Sequence, residues 1–288
     1  MPIEVAQRVI ELFIQGLGKG AVLAMLGLSI TLVFGLGGVL NLAIGSFAVV
    51  AVIVGVQIYG FVPSLAVASG ISILAVSALA LAIDKSALEI VYRSPGNLIV
   101  IRGIFVTLGL ALIIDGLLFV YYPLSYSLSA GVGSIAPGGV RILGSSMAII
   151  AISSVVFAGL YFFFDRTKYG LAMRTVMQDE TGAKFVGINP RNMRTYVFLM
   201  SAAIAAIAGV LWSFSFEVTP ATGFQLTIYA IIVSIVGGVT SIPGAVLAGL
   251  FLGLLSTFAA AYIGAYVAEL VLFAVVILIL IYRPEKLT

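Results

Sequence analysis

The 288-residue chain contains no cysteine and no histidine. Thiolate chemistry, disulfide cross-links and most zinc or haem sites are thereby excluded. Charge is scarce as well. Asp, Glu, Lys and Arg make up 9% of the residues, against roughly 25% in an ordinary soluble domain. A phosphate-binding loop is also missing. Gly16-Leu17-Gly18-Lys19-Gly20 has the Lys, but Gly follows it where Ser or Thr is needed, and Phe13 stands where the first glycine should be. ATP hydrolysis by such a loop is excluded, so an ATPase driving this protein would be a separate polypeptide. The N-terminal stretch carries Glu4 and Glu11 and lacks a basic leader, which argues against a cleaved signal peptide. The net charge is only +3 and its cations are spread along the chain, which leaves no basic patch for nucleic acid.

What fills the chain is apolar: 62% of residues are hydrophobic. Runs of about 20 such residues recur, each long enough to cross a hydrocarbon core of roughly 30 Å. The expected fold is an all-α polytopic membrane protein, with residues 1–288 as one transmembrane domain. The spans are expected near 9–34, 39–58, 63–83, 103–122, 142–164, 195–216, 226–236, 245–261 and 265–282. Glycine-rich breaks at 35–38 and 237–244 set the count at nine, or at eight if one of them is a re-entrant dip. Gly37-Gly38-Val39 and Gly237-Gly238-Val239, each followed by a further glycine, hint at a parallel internal repeat. Chance matching among 32 glycines would produce the same pattern.

Residues 165–194 form the one long polar segment, with six of the fourteen basic residues. If 84–102, 165–194 and 283–288 are cytoplasmic, that side holds eleven of the fourteen. The positive-inside rule then places the N-terminus outside and the C-terminus inside. Within this loop a short helix is expected over 175–185, ended by Gly187 in a left-handed conformation and blocked by Pro190. Its apolar face favours docking over an ordinary surface loop.

Two kinds of polar feature lie within the membrane part. The stretch Gly37–Ser46 places Asn41, Gly45 and Ser46 beside a helix break, and a second break carries Gly237, Gly238 and Ser241. Irregular backbone at membrane depth is tolerated where it lines a cavity or is buried in protein. A translocation pathway and close helix packing both meet that condition, and Asn41 tips 37–46 toward the pathway. By contrast, Gly16-x-x-x-Gly20 and Gly249-x-x-x-Gly253 read as packing motifs. Asp115 is the deepest acid; a pathway or proton role is open to it, but an interhelical hydrogen bond is the weightier reading. Glu217 and Glu269 read as solvated rim.

Several of these segments resemble branched-chain amino-acid ABC permeases of the LivH type. The run Arg166-Thr167-Lys168-Tyr169-Gly170-Leu171-Ala172-Met173-Arg174, then Asp179, Ala183 and Gly187-Ile188-Asn189, is similar to that family's coupling loop. Ser241-Ile242-Pro243-Gly244-Ala245 after Gly237-Gly238, Asn41-Leu42-Ala43-Ile44-Gly45, and Arg283-Pro284 also match its motifs. Ile44 stands where the family usually has His, Ser46 where an acid is common, and the acidic pair is shifted to Asp179-Glu180. The resemblance implies the transmembrane subunit of an ATP-driven importer in the cell (plasma or inner) membrane. It would pair with a second permease subunit, two cytoplasmic ATPases that hold the ATP and magnesium, and an extracytoplasmic substrate-binding protein. This chain would bind no cofactor itself. Asp179, Glu180, Ala183, Gly187, Ile188 and Asn189 would couple it to the ATPases. Relatives carry branched-chain and other amino acids, urea or short amides. The competing reading is an ion-coupled secondary transporter or channel that works alone through Asp115.

Overall fold

A computed structural model describes residues 2–93, 98–129, 131, 133–136 and 139–282. Helix α1 spans Pro2–Gly37 and α2 spans Ile44–Phe61. Helix α3, Leu65–Ile83, runs on through a π turn at Asp84–Leu88 into α4, Glu89–Tyr92. Then come α5 (Leu98–Tyr121), α6 (Gly144–Arg166), α7 (Lys168–Gln178), α8 (Glu180–Phe185) and α9 (Pro190–Ser213). The chain continues with α10 (Thr222–Gly237), α11 (Ile242–Ile263) and α12 (Ala265–Tyr282). Among the described residues the only β pairing is two isolated antiparallel bridges, Tyr126 with Val218 and Ile135 with Ile142. Seven helices among the described residues are long and apolar enough to cross a membrane, and α10 and the 265–279 part of α12 are shorter apolar helices.

The long apolar helices sort into a buried set and a peripheral set. The most apolar window of α1 is 89% buried, that of α9 72%, and that of α6 only 17%. Helix α1 is therefore the axis of the bundle, packed on α6, α9, α10 and α11. Its contact with α11 is made possible by the two glycine pairs. A methyl on Gly20 would sit 2.8 Å from the Leu250 Cα, and one on Gly253 would overlap the Gly20 backbone. The packing reading of both motifs is thus what the structure shows. Phe47 of α2 meets Phe198 of α9 edge to face, 6.2 Å between centroids, a favoured aromatic geometry.

Successive membrane helices alternate in direction. Helix α1 ends beside the polar segment 165–194: a methyl on Gly35 would meet Met177 of α7, and one on Gly37 would lie 3.1 Å from the Tyr92 hydroxyl. We refer to this as the basic end. At the opposite end Arg141 N–H donates to Glu11 at 2.6 Å. Both glycine breaks, with positive φ at Gly38 and Gly238, lie at the basic end, so α1–α2 and α10–α11 are oriented alike, as a parallel repeat requires.

Several expected boundaries change, and α5, α9 and α10 each start four or five residues earlier than expected. Helix α1 runs well beyond 9–34. The span expected over 39–58 begins as helix only at Ile44, because residues 38–43 satisfy their backbone by side chains instead. The helix expected over 175–185 is two helices broken at Asp179, which is extended (φ −152°, ψ 103°) so that its carboxylate can cap α8. The 283–288 tail, with Arg283-Pro284 and two of the cations counted above, lies outside the described residues.

Candidate functional site

The first cluster surrounds the discontinuity between α1 and α2. Residues 38–43 leave the basic end alongside α5. A methyl on Gly103 would meet the Val39 side chain, and Thr107 Oγ1 accepts from Leu42 N–H at 3.1 Å while lying 3.0 Å from the Leu40 carbonyl. Asn41 turns its Oδ1 onto Ala43 N–H at 3.0 Å, an Asx turn that keeps the helix from starting earlier. From the other side Thr227 of α10 accepts from Gly45 N–H at 3.0 Å and approaches the Leu42 carbonyl at 3.2 Å. Two threonines therefore do the work that helix hydrogen bonds would otherwise do for 40–45.

Helix α2 starts against the first turn of α10. A side chain at Gly45 would overlap the Gly223 carbonyl, and a methyl on Gly223 would lie 3.1 Å from Asp115 Oδ1 and 3.4 Å from Ser46 Cα. Gly45, Ser46, Asp115, Gly223 and Thr227 thus converge. Asn41 and Ser46 are fully buried. Among the described residues Asn41 Nδ2 has no hydrogen-bond partner, and Ser46 and Asp115 face each other across the seam. An unpaired buried polar atom costs about 1–3 kcal/mol, so the Asn41 amide beside Ser46 and Asp115 marks this discontinuity as a candidate pathway site.

Gly237, Gly238 and Ser241 do not join that cluster. They form the α10–α11 turn at the basic end. Gly238 takes φ +94°, Gly237 packs directly on Gly244, and Ser241 Oγ accepts from Gly244 N–H at 3.1 Å to cap α11. Pro243 sits inside the first turn, where its missing N–H costs nothing.

The second cluster is the α7–α8 unit. Thr167 caps α7 through Gly170 N–H at 3.0 Å, Asp179 caps α8 through Thr181 N–H at 2.9 Å, and Asn189 caps α9 through Arg191 N–H at 3.0 Å. Gly187 takes φ +80°, and Ile188 N–H returns to the Ala183 carbonyl at 3.0 Å, closing α8. Met173, Val176 and Ala183 are buried against the bundle. Phe185 and Val186 at the far tip are 87% and 71% exposed.

This unit is tied to the membrane helices by charge. Glu180 pairs with Arg194 of α9 and with Lys184. The Arg194 guanidinium lies over the Tyr92 ring, 5.1 Å from its centroid. Glu89 of α4 bridges Arg93 and Arg191, and Thr195 donates to buried Asp84. These groups wall a cavity of about 300 Å³. Glu180 and Asn189 were expected in the loop. Arg194, Asp84, Glu89 and Tyr92 were not singled out, nor were Thr107, Gly223 and Thr227 at the first cluster. The charged stretch 84–102 was the available signal for Asp84 and Glu89, and nothing in the pattern marked the threonines.

Comparison with known proteins adds a family. Residues 12–280 match the family described as branched-chain amino acid transport system / permease component. The chain is 29% identical over 297 residues to a "High-affinity branched-chain amino acid transport system permease protein BraD" of Pseudomonas aeruginosa, covering 96% of this chain and 94% of that protein. It is 29% identical over 282 residues to a LivH permease protein of Salmonella typhimurium, covering 93% and 92%. A probable branched-chain amino acid transport permease protein LivH of Methanocaldococcus jannaschii is 30% identical over 244 residues, covering 81% and 75%. A chain in the solved structure "PsaBC from Streptococcus pneumoniae in complex with Fab" shares the fold, with a TM-score of 0.52 and 12% identity over 92% of this chain and 90% of that one.

Proposed function

Because the chain belongs to the family of permease components of branched-chain amino-acid transport systems, we propose that it forms one half of the pathway of an ATP-driven importer for branched-chain or related amino acids. The basic end faces the cytoplasm, since short loops rich in Lys and Arg stay on that side. The start of α1 then faces outward, and α12 runs toward the cytoplasm. The whole chain acts as one transmembrane unit of the cell membrane, without catalysis of its own. A second permease subunit, either a paralogue or another copy, completes the pathway. Two cytoplasmic ATPases hold ATP and magnesium, and an extracytoplasmic binding protein delivers the solute.

The observation that carries this reading is the α7–α8 unit. Its inner face is buried and ion-paired to α9, while Phe185 and Val186 project an apolar tip away from the bundle. An exposed apolar tip on a rigidly held knob is a surface to be covered by a partner. Asp179, Glu180, Ala183, Gly187, Ile188 and Asn189 shape the knob. Force on it reaches α9 through Glu180–Arg194 and reaches α3–α4 through Asp84–Thr195. Helix α9 packs on α1 and α2, so its tilt shifts the seam where α2 meets α10. Asn41, Gly45, Ser46 and Asp115 lie at that seam as the pathway group, with Gly237, Gly238 and Ser241 holding the turn below it. Purification in mild detergent from the native host tests the assembly. A stoichiometric ATPase pair and second permease, with ATP-dependent L-leucine uptake in vesicles, is the expected result. A chain that comes out alone and moves solute without ATP would overturn it.

A further inference from the structure

A second polar feature lies on the other face of α10. Thr222, Gln225 and Tyr229 of that helix line a cavity of about 270 Å³ between α1, α9, α11 and α12. Two opposite charges line it, Lys19 from α1 and Glu269 from α12, together with a second acid, Glu217. Lys19 is 18 residues before the end of α1 at Gly37, roughly 27 Å along the helix at 1.5 Å per residue. The cavity therefore lies toward the outward part of the bundle. Ionisable groups within spans are costly and concentrate where they meet water, a partner or a permeant.

The two charges do not close on each other. Both groups line the same cavity, yet no ion pair within 4.0 Å joins them. Glu269 Oε1 is held by Gln225 at 3.1 Å and by the Tyr229 hydroxyl at 3.0 Å, while its Oε2 accepts from no described residue. Glu217 and Glu269 are both exposed on this cavity wall. Lys19, Trp212 and Phe216 also border a neighbouring cavity of about 400 Å³. That second lobe is walled largely by aliphatic side chains, among them Leu12, Val22, Ile149 and Leu211. Trp212 is stacked on Phe216, 4.6 Å between centroids, between the two lobes.

We propose that this pair of cavities is an outward-side binding site for a zwitterionic aliphatic α-amino acid. Lys19 takes the carboxylate, Glu269 takes the ammonium, and the Trp212–Phe216 wall guides the side chain into the apolar lobe. The chemistry of the cavity fits that solute class: one cation, and one anion oriented by Gln225 and Tyr229, not joined to each other, beside an apolar chamber. An inorganic ion would use only one of the charges, and a neutral amide would leave both unpaired.

The inference rests on the importer reading above, and the test separates the two. The complete transporter, with its ATPases and binding protein, is reconstituted into vesicles, and radiolabelled L-leucine uptake is measured together with ATP hydrolysis. Lys19→Gln and Glu269→Gln are expected to lower uptake about tenfold or more, the worth of a charge-assisted hydrogen bond, while hydrolysis stimulated by the loaded binding protein stays within about twofold. ATP consumed per leucine imported then rises by a similar factor, and Lys19→Arg restores uptake. Unchanged uptake in both Gln variants would overturn the proposal. So would joint loss of uptake and hydrolysis with no rescue by Lys19→Arg, since that is the mark of a structural ion. A wild-type assembly that hydrolyses ATP but imports no L-leucine would overturn the amino-acid reading, and this site with it.

Discussion

Thr195 of α9 donates a 2.7 Å hydrogen bond to Asp84, joining positions 111 residues apart at the basic end of the bundle. Asp84 is 4% exposed and lies in the π turn where α3 gives way to α4. A carboxylate in such a place depends on its donors. Thr195→Val removes one and leaves shape and volume nearly unchanged, so it is expected to destabilise the protein by about 1–3 kcal/mol. Thr195→Ser keeps the hydroxyl and should sit close to wild type. Thermal unfolding of the detergent-solubilised protein measures both, and equal midpoints for Val and wild type would show that the bond carries no load.

Gly187 ends α8 at φ +80°, a conformation open to glycine, tolerated by asparagine and strained for a β-branched residue. No atom stands within 4 Å of where its Cβ would be, so the strain is purely in the backbone. Gly187→Val is expected to abolish uptake and ATPase stimulation with membrane insertion intact, and Gly187→Asn to keep a good part of both. Normal uptake by the Val variant would count against α8 as the coupling element.

At the α2–α10 seam, Asp115 stands beside Gly223 and Ser46. In an ATP-driven importer its charge does not supply the driving force. Asp115→Asn is therefore expected to keep most uptake, within about threefold, a change of well under 1.4 kcal/mol. Uptake titrated against an imposed proton gradient reads the alternative: complete loss in the Asn variant with retained folding would favour ion coupling.

Helices α1 and α11 approach through Gly20 and Gly253. Gly20→Val would press branched carbons on the Leu250 backbone, which sits 2.8 Å from even a methyl there. Backbone cannot give way as a flexible side chain can, so a loss of about 1–3 kcal/mol is expected. Cysteine cross-linking between the two helices, at positions flanking the contact, should weaken in the variant, and undiminished cross-linking would refute the close approach.

Much of this architecture was legible in the order of residues. Scarce charge and recurring apolar runs specify a helical membrane protein, because the hydrocarbon core admits few other solutions. The six cations between 166 and 194 set the polar loop apart, and Gly187 with Pro190 marked where α8 ends. The glycine spacings at 16–20 and 249–253 foretold close helix contact, though not that the two motifs would meet each other. The break at Asp179 was harder to see. Its neighbours permit a helix, and only the capping geometry decides that there are two.

The sequence by itself determined the solvent, the spans and the polar loop, since these follow from local composition and the cost of moving polar groups into hydrocarbon. Tertiary structure alone decided which distant residues meet. Thr107 and Thr227 hold the backbone of 40–45, Arg194 reaches Glu180, and Gly45 docks on Gly223. Those pairings depend on helix rotation and on crossings between elements far apart in the chain. No local pattern encodes them, because each partner is satisfied only by a neighbour that folding brings near.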